Sequence, residues 1–113
     1  MKDIERDNFY LRSISEEIVK IENFVKGAIY KTFLKDEKLQ YAVYKAFENI
    51  GEAAKNISKK TKEKHSDIPW RDLAGFRDKL AHGYFGIDVE LVWKAVKKEV
   101  PDIKRNLINL VKK

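Results

Sequence analysis

Arg71-Asp72-Leu73-Ala74-Gly75-Phe76-Arg77-Asp78-Lys79-Leu80-Ala81-His82-Gly83-Tyr84 is the stretch around which the chain is organised. Its apolar residues recur at helical spacing, so Leu73, Phe76 and Leu80 share one buried face. Pro69 lies just upstream, at a helix start where a missing N–H costs nothing. Gly83 stands where a left-handed C-terminal cap belongs. The helix so defined carries His82 on its last turn and Tyr84 just past its end. On a regular helix Arg77 and His82 point about 140° apart, so they do not share a face. For them to act together the last turn must loosen, or a second copy of the helix must bring its own pair alongside. Ala74, Gly75 and Ala81 add little bulk near Arg77, which leaves room for another backbone. A composite site across a two-fold axis, and therefore a homodimer, is the resulting expectation.

Working outward from this helix, the same periodicity yields three more. Asp3 can cap a first helix whose stripe runs Tyr10, Leu11, Ile14, Ile18, Ile21, Val25, Ala28 and Ile29, about seven turns. Asp36 and Glu37 put carboxylates at the start of a second, where the dipole favours them; its stripe runs from Leu39 through Val43, Phe47 and Ile50 to Ile57. Gly51 inside it costs about 1 kcal/mol against alanine, and close packing against another helix is the expected compensation. Glu52 beside it is read as a solvated or capping carboxylate. Lys59 to Asp67 contains no apolar residue and is expected to be a solvated loop or frayed helix end, with His65 on its surface. Trp70 is expected to anchor the core. Asp88 can cap a last helix, whose apolar stripe from Val89 to Val111 keeps its phase through Pro101; one kinked helix fits better than two. The 113 residues thus form a single all-α domain over residues 1–113, an antiparallel four-helix bundle with a Pro-kinked last helix.

Composition narrows the function classes. There is no cysteine, which excludes disulfides and thiolate metal sites, and two histidines are too few for a histidine-rich metal centre. No apolar run approaches membrane-spanning length, and Met1-Lys2-Asp3-Ile4-Glu5-Arg6 does not resemble a signal peptide, so a cytoplasmic location and no membrane partner are expected. The net charge is +6; residues 1–56 hold 10 basic and 10 acidic residues, and residues 57–113 hold 14 and 8. The whole excess travels with the half that contains Arg77 and His82. It serves solubility, or it serves a polyanionic partner. Lys94, Lys98, Arg105 and Lys112 cluster on one side of the last helix; Lys94, Lys98 and Arg105, with Lys79, are candidate RNA contacts, and an ordinary polar face is the alternative.

The chemistry available at the central stretch needs neither metal nor cofactor. An imidazole titrates near neutrality and can take a proton from a hydroxyl and return one to a leaving oxygen. A guanidinium can hold a phosphate through two parallel hydrogen bonds. RNA supplies its own nucleophile in the 2′-OH, so His82 and Arg77 suffice for internal transesterification to a 2′,3′-cyclic phosphate and a 5′-hydroxyl. Asp78, one turn before His82, could orient its ring. Spacing alone does not separate this chemistry from a capping histidine beside a surface arginine.

The surroundings add a resemblance. Arg77-Asp78-x-x-x-His82-x-Tyr84 resembles the Arg-x4-His-x-Tyr motif of HepT toxins in the HEPN superfamily. Asp36-Glu37-Lys38-Leu39, Ile50-Gly51-Glu52-Ala53, Ile68-Pro69-Trp70, Gly75-Phe76, Tyr84-Phe85-Gly86-Ile87-Asp88 and Val92-Trp93 extend it along the whole chain. The resemblance implies a HEPN-like bundle, a homodimer with facing motifs, and a metal-independent endoribonuclease of a type VII toxin–antitoxin system, acting on RNA, tRNA among the candidates. It also implies a partner, a minimal nucleotidyltransferase (MNT) antitoxin that adenylylates the motif tyrosine, here Tyr84. Packing over the helix end is the other role open to Tyr84. Two rival functions remain: a non-catalytic nucleotide-binding or regulatory subunit of a nucleotidyltransferase, and a dimeric scaffold pinned by Arg77 and His82.

Overall fold

The computed structural model describes residues 3–81, 83, 84 and 86–111, the side chains of 109–111 excepted. Four long helical runs carry the fold: α1 (Asp3–Phe24), α3 (Glu37–Lys55), α5 (Trp70–Ala81), and a final run made of α6 (Val89–Lys94), a π-helical turn (Ala95–Glu99) and α7 (Val100–Val111). Two short helices, α2 (Tyr30–Lys35) and α4 (Lys59–Lys64), lie in the connections. α3 is the central element, packed against α1 on one side and α5 on the other, and α7 returns onto α1. The core follows the expected stripes: Ile14, Ile18 and Ile21 from α1, Val43, Phe47 and Ile50 from α3, Leu73 and Leu80 from α5, and Val100, Ile103 and Leu107 from α7 are all buried. Among the described residues no helix is long and apolar enough to cross a membrane.

Local chemistry sets the boundaries. The Asp36 carboxylate accepts from Leu39 N at 3.0 Å and starts α3; Asp88 accepts from Glu90 N and Leu91 N and starts α6. Asp3, expected as a cap, is the first helical residue described and pairs with Arg6 at 3.0 Å. Trp70 is buried, and its indole N–H donates to the His65 carbonyl at 3.0 Å, so the anchor also ties down the chain entering α5.

Three details differ from the sequence expectation. The first helix stops at Phe24 instead of running to Ile29, because Gly27 adopts φ +80° and turns the chain into α2. Lys59 to Lys64 is a short exposed helix and not a loop. Its start is fixed from α1: the buried Asp7 carboxylate accepts from Ser58 N at 2.8 Å, Ser58 Oγ at 2.6 Å and Thr61 Oγ1 at 2.5 Å. Burial alone would raise the Asp7 pKa, but these hydrogen bonds outweigh it and hold it below the ordinary value. The irregularity of the last run sits just before Pro101. Pro101 can donate no hydrogen bond and its ring would crowd a carbonyl one turn back; the chain widens there, with Val100 N bonding to Ala95 O.

Candidate active site

Arg77 lies where α5 comes closest to α3, and Gly51 makes that approach possible. A Cβ built on Gly51 would stand 2.1 Å from Arg77 Cβ and 2.6 Å from the Leu73 carbonyl oxygen. Only a hydrogen fits there. The compensation expected for an interior glycine is therefore real, and it fixes the backbone of Arg77 against α3. Gly75 has nothing within 4 Å of such a Cβ, so the tight contact at Arg77 is made within the chain.

The side chains follow from this seating. Arg77 Nε lies 2.8 Å from Glu52 Oε2, in contact but without the alignment of a hydrogen bond, and the arginine side chain is 29% exposed. Its Nη1 donates to Asp78 Oδ1 at 3.4 Å, and Lys55 Nζ donates to the same oxygen at 3.0 Å. Nη2 donates no hydrogen bond to a described residue. The hydrogen bond from Lys55, joined by the Lys55 charge and by the hydrogen bond and charge of Arg77, holds the Asp78 carboxyl below its ordinary pKa against the penalty of burial. Two cations and two carboxylates balance here. Glu52 is exposed, as a solvated carboxylate would be, yet it also braces Arg77.

α5 ends as the sequence implies. Gly83 has φ +101° and its N–H bonds to Leu80 O at 3.1 Å. His82 lies outside the described residues. Past the glycine the chain turns Tyr84 onto α3, where its ring meets Tyr41 and Tyr44 edge-on, with centroids 5.2 and 5.1 Å apart. Its hydroxyl donates to Glu48 Oε1 at 3.1 Å. Burial first, and this hydrogen bond second, raise the Tyr84 pKa, so the phenol stays protonated. Of the two roles open to Tyr84, the packing is seen: its ring lies against α3 and its hydroxyl is held by a carboxylate.

Tyr41, Tyr44, Glu48, Gly51, Glu52 and Lys55 fall within about 100° of one another around α3. This stripe faces Arg77, Asp78 and Tyr84. Glu48 and Lys55 were not singled out from sequence. The available signal was their register with Gly51, since residues three and four positions away share its close contact with α5. Of the candidate RNA contacts, Lys79, Lys94 and Lys98 line one groove between α5 and the last helical run. Arg105 lies elsewhere, exposed and paired with Asp102, and Lys112 is outside the described residues.

Comparison with known proteins identifies a family and several relatives. The family model "Ribonuclease HepT-like" matches residues 14–110. A protein of Thermococcus cleftensis named "Probable ribonuclease HepT" is 50% identical over 95 residues, 84% of this chain and 86% of that protein. "Putative RNase TTE0752" of Caldanaerobacter subterraneus is 39% identical, covering 92% of this chain and 93% of its own. "Putative RNase MJ0125" of Methanocaldococcus jannaschii is 40% identical over 111 residues, 98% of this chain and 93% of its own. No solved structure gives a significant match.

Proposed function

The chain belongs to the ribonuclease HepT-like family, and from that premise we propose that it is a metal-independent endoribonuclease toxin of the type VII kind. His82 takes the proton of a 2′-OH, whose oxygen attacks the adjacent phosphorus. Arg77 holds the non-bridging oxygens, exchanging its carboxylate contacts for the phosphate, and stabilises their added charge. The 5′-oxygen leaves with a proton returned by an imidazole, and a 2′,3′-cyclic phosphate remains. The observation that carries this reading is the seating of Arg77 on Gly51, with the guanidinium braced by Glu52 and Asp78. Asp78, which engages Lys55 and Arg77, positions the pair.

The site is completed in a homodimer, where each chain supplies an Arg77 and a His82 across the two-fold axis. The exposed Ala81, about 40° around α5 from Arg77, supports a second backbone near this helix. The location is cytoplasmic, with RNA as substrate and a minimal nucleotidyltransferase as partner. That partner adenylylates Tyr84. The phenol oxygen attacks the α-phosphorus of a nucleoside triphosphate, pyrophosphate leaves, and Glu48 is within hydrogen-bond distance to accept the phenol proton. The attached phosphate adds negative charge where the RNA phosphate must sit.

The test is product analysis. Purified protein incubated with RNA in excess EDTA should leave cyclic-phosphate and 5′-hydroxyl ends, and it should sediment at twice 13.3 kDa. Linear 3′-phosphates formed directly, or cleavage that stops in EDTA, would contradict the mechanism. Inertness toward RNA with tight nucleotide binding would favour the binding-subunit alternative.

A further inference from the structure

The groove between α5 and the last helical run has a volume of about 600 Å³. Four cations line it: Arg71 and Lys79 from α5, Lys94 from α6, and Lys98 from the π-helical turn. Arg71, Lys79 and Lys98 make no ion pair with another described residue, while Lys94 sits 3.4 Å from Glu90. Asp72 and Glu99 also line the groove and leave the cations in excess. Its floor is apolar, with Phe76 partly buried against Phe47 and Leu91 left 54% exposed. The lysines and Leu91 are exposed side chains, so the buried core does not require them.

We propose that this groove binds a single-stranded segment of RNA flanking the scissile phosphate, its phosphates on Arg71, Lys79, Lys94 and Lys98 and a base against Leu91 and Phe76. The inference rests on the ribonuclease reading for its choice of RNA. Charge complementarity argues for this occupant over a second copy of the chain. A two-fold contact through this face would set the same four cations against themselves, whereas a polyphosphate chain neutralises them. All four belong to the half of the sequence that carries the whole +6 excess. The apolar floor suits the faces of unpaired bases, which gain from such contacts whatever their sequence. Arg77 points about 140° around α5 from the groove-facing Asp72, so the strand would cross the helix end between the two sites.

A short fluorescent single strand with every 2′-OH methylated cannot be cut, and its binding is read by anisotropy across a salt series. Each phosphate contact on a single strand contributes roughly 0.7 to the slope of log K against log salt. Replacing Lys79, Lys94 and Lys98 together by alanine should lower that slope by about 2 and weaken binding by at least roughly tenfold. Leu91→Ala should weaken binding with the slope unchanged. Unaltered affinity and slope in the lysine variant would overturn the proposal. So would displacement of the probe by poly-glutamate as readily as by RNA, or a loss of dimer in the lysine variant on sedimentation. A wild type that cuts no RNA, yet loses probe binding in the variants as described, would sink the nuclease reading and leave the groove assignment standing.

Discussion

Gly51→Ala separates two opposed effects whose sizes can be set out in advance. On an isolated helix the change stabilises α3 by about 1 kcal/mol, because alanine is the better helix former. Here the new methyl would lie 2.1 Å from Arg77 Cβ and 2.6 Å from the Leu73 carbonyl oxygen. Carbon atoms sit comfortably at about 3.5 Å, so α5 must retreat by roughly 1.4 Å or tilt away. Neither atom can swing aside: one is backbone, the other is bonded to it. Overpacking of this kind costs about 1–3 kcal/mol and at times more, and the Phe47–Phe76 contact across the same helix pair loosens with it. With the cost at its upper end of about 3 kcal/mol, the net expectation is a loss of about 2 kcal/mol, or roughly 8 °C in Tm for a chain of this length. Because the displaced residue is Arg77, RNA cleavage should fall on the order of 100-fold, the usual result of a 1 Å misplacement in a site. Gly75→Ala is the control, with the same propensity gain and open space around it; its Tm should hold or rise. Thermal unfolding of both variants with single-turnover cleavage checks the argument. A Gly51→Ala protein as stable and as active as Gly75→Ala would refute the close approach of α5 to α3.

Other perturbations test separate links. Glu52→Gln keeps shape but removes the charge beside Arg77 Nε; the pair is too exposed to hold more than about 1 kcal/mol of stability, so Tm should barely move while cleavage drops about tenfold, and unchanged cleavage would deny Glu52 its bracing role. Asp7→Asn should destabilise the bundle by about 3 kcal/mol at neutral pH, since three donors lose an ionised acceptor. The folded state depresses the Asp7 pKa, so its contribution is complete above the unfolded pKa of about 4 and fades as pH falls through the folded value. The gap between wild type and variant in urea midpoints should therefore narrow with acid; a constant gap would refute the linkage. Tyr84→Phe should keep its ring packing and nuclease activity yet gain no adenylyl mass when co-expressed with the nucleotidyltransferase. Mass gain at Tyr41 or Tyr44 would move the switch.

What the sequence disclosed and what it did not follow from the same physics. Periodicity locates the core stripes of all four long helices because burial repeats with the helical turn. It carries the first helix too far, since Val25, Ala28 and Ile29 stay in phase while Gly27 leaves the helix at φ +80°. The lysine-rich segment after Ser58 shows no apolar stripe; Ser58 caps it locally by accepting from Thr61 N, and Asp7, about fifty positions earlier, holds both residues, a tie no local pattern reveals. At the site, the motif points to Arg77, Asp78 and Tyr84. Their partners Glu48, Glu52 and Lys55 depend on how α3 docks on α5, a relation written in the sequence only as the single small residue Gly51.

The most direct test of the central claim is the single-turnover rate of RNA cleavage in EDTA for wild type, His82→Ala and Arg77→Lys, each shown by circular dichroism to be folded. Loss of the acid–base residue should cost about 10² to 10⁴ in rate, and Arg77→Lys should lose heavily as well, because a lysine cannot make the two-point contact with phosphate. Wild-type rates from either folded variant would contradict the assignment of the chemistry to these two side chains.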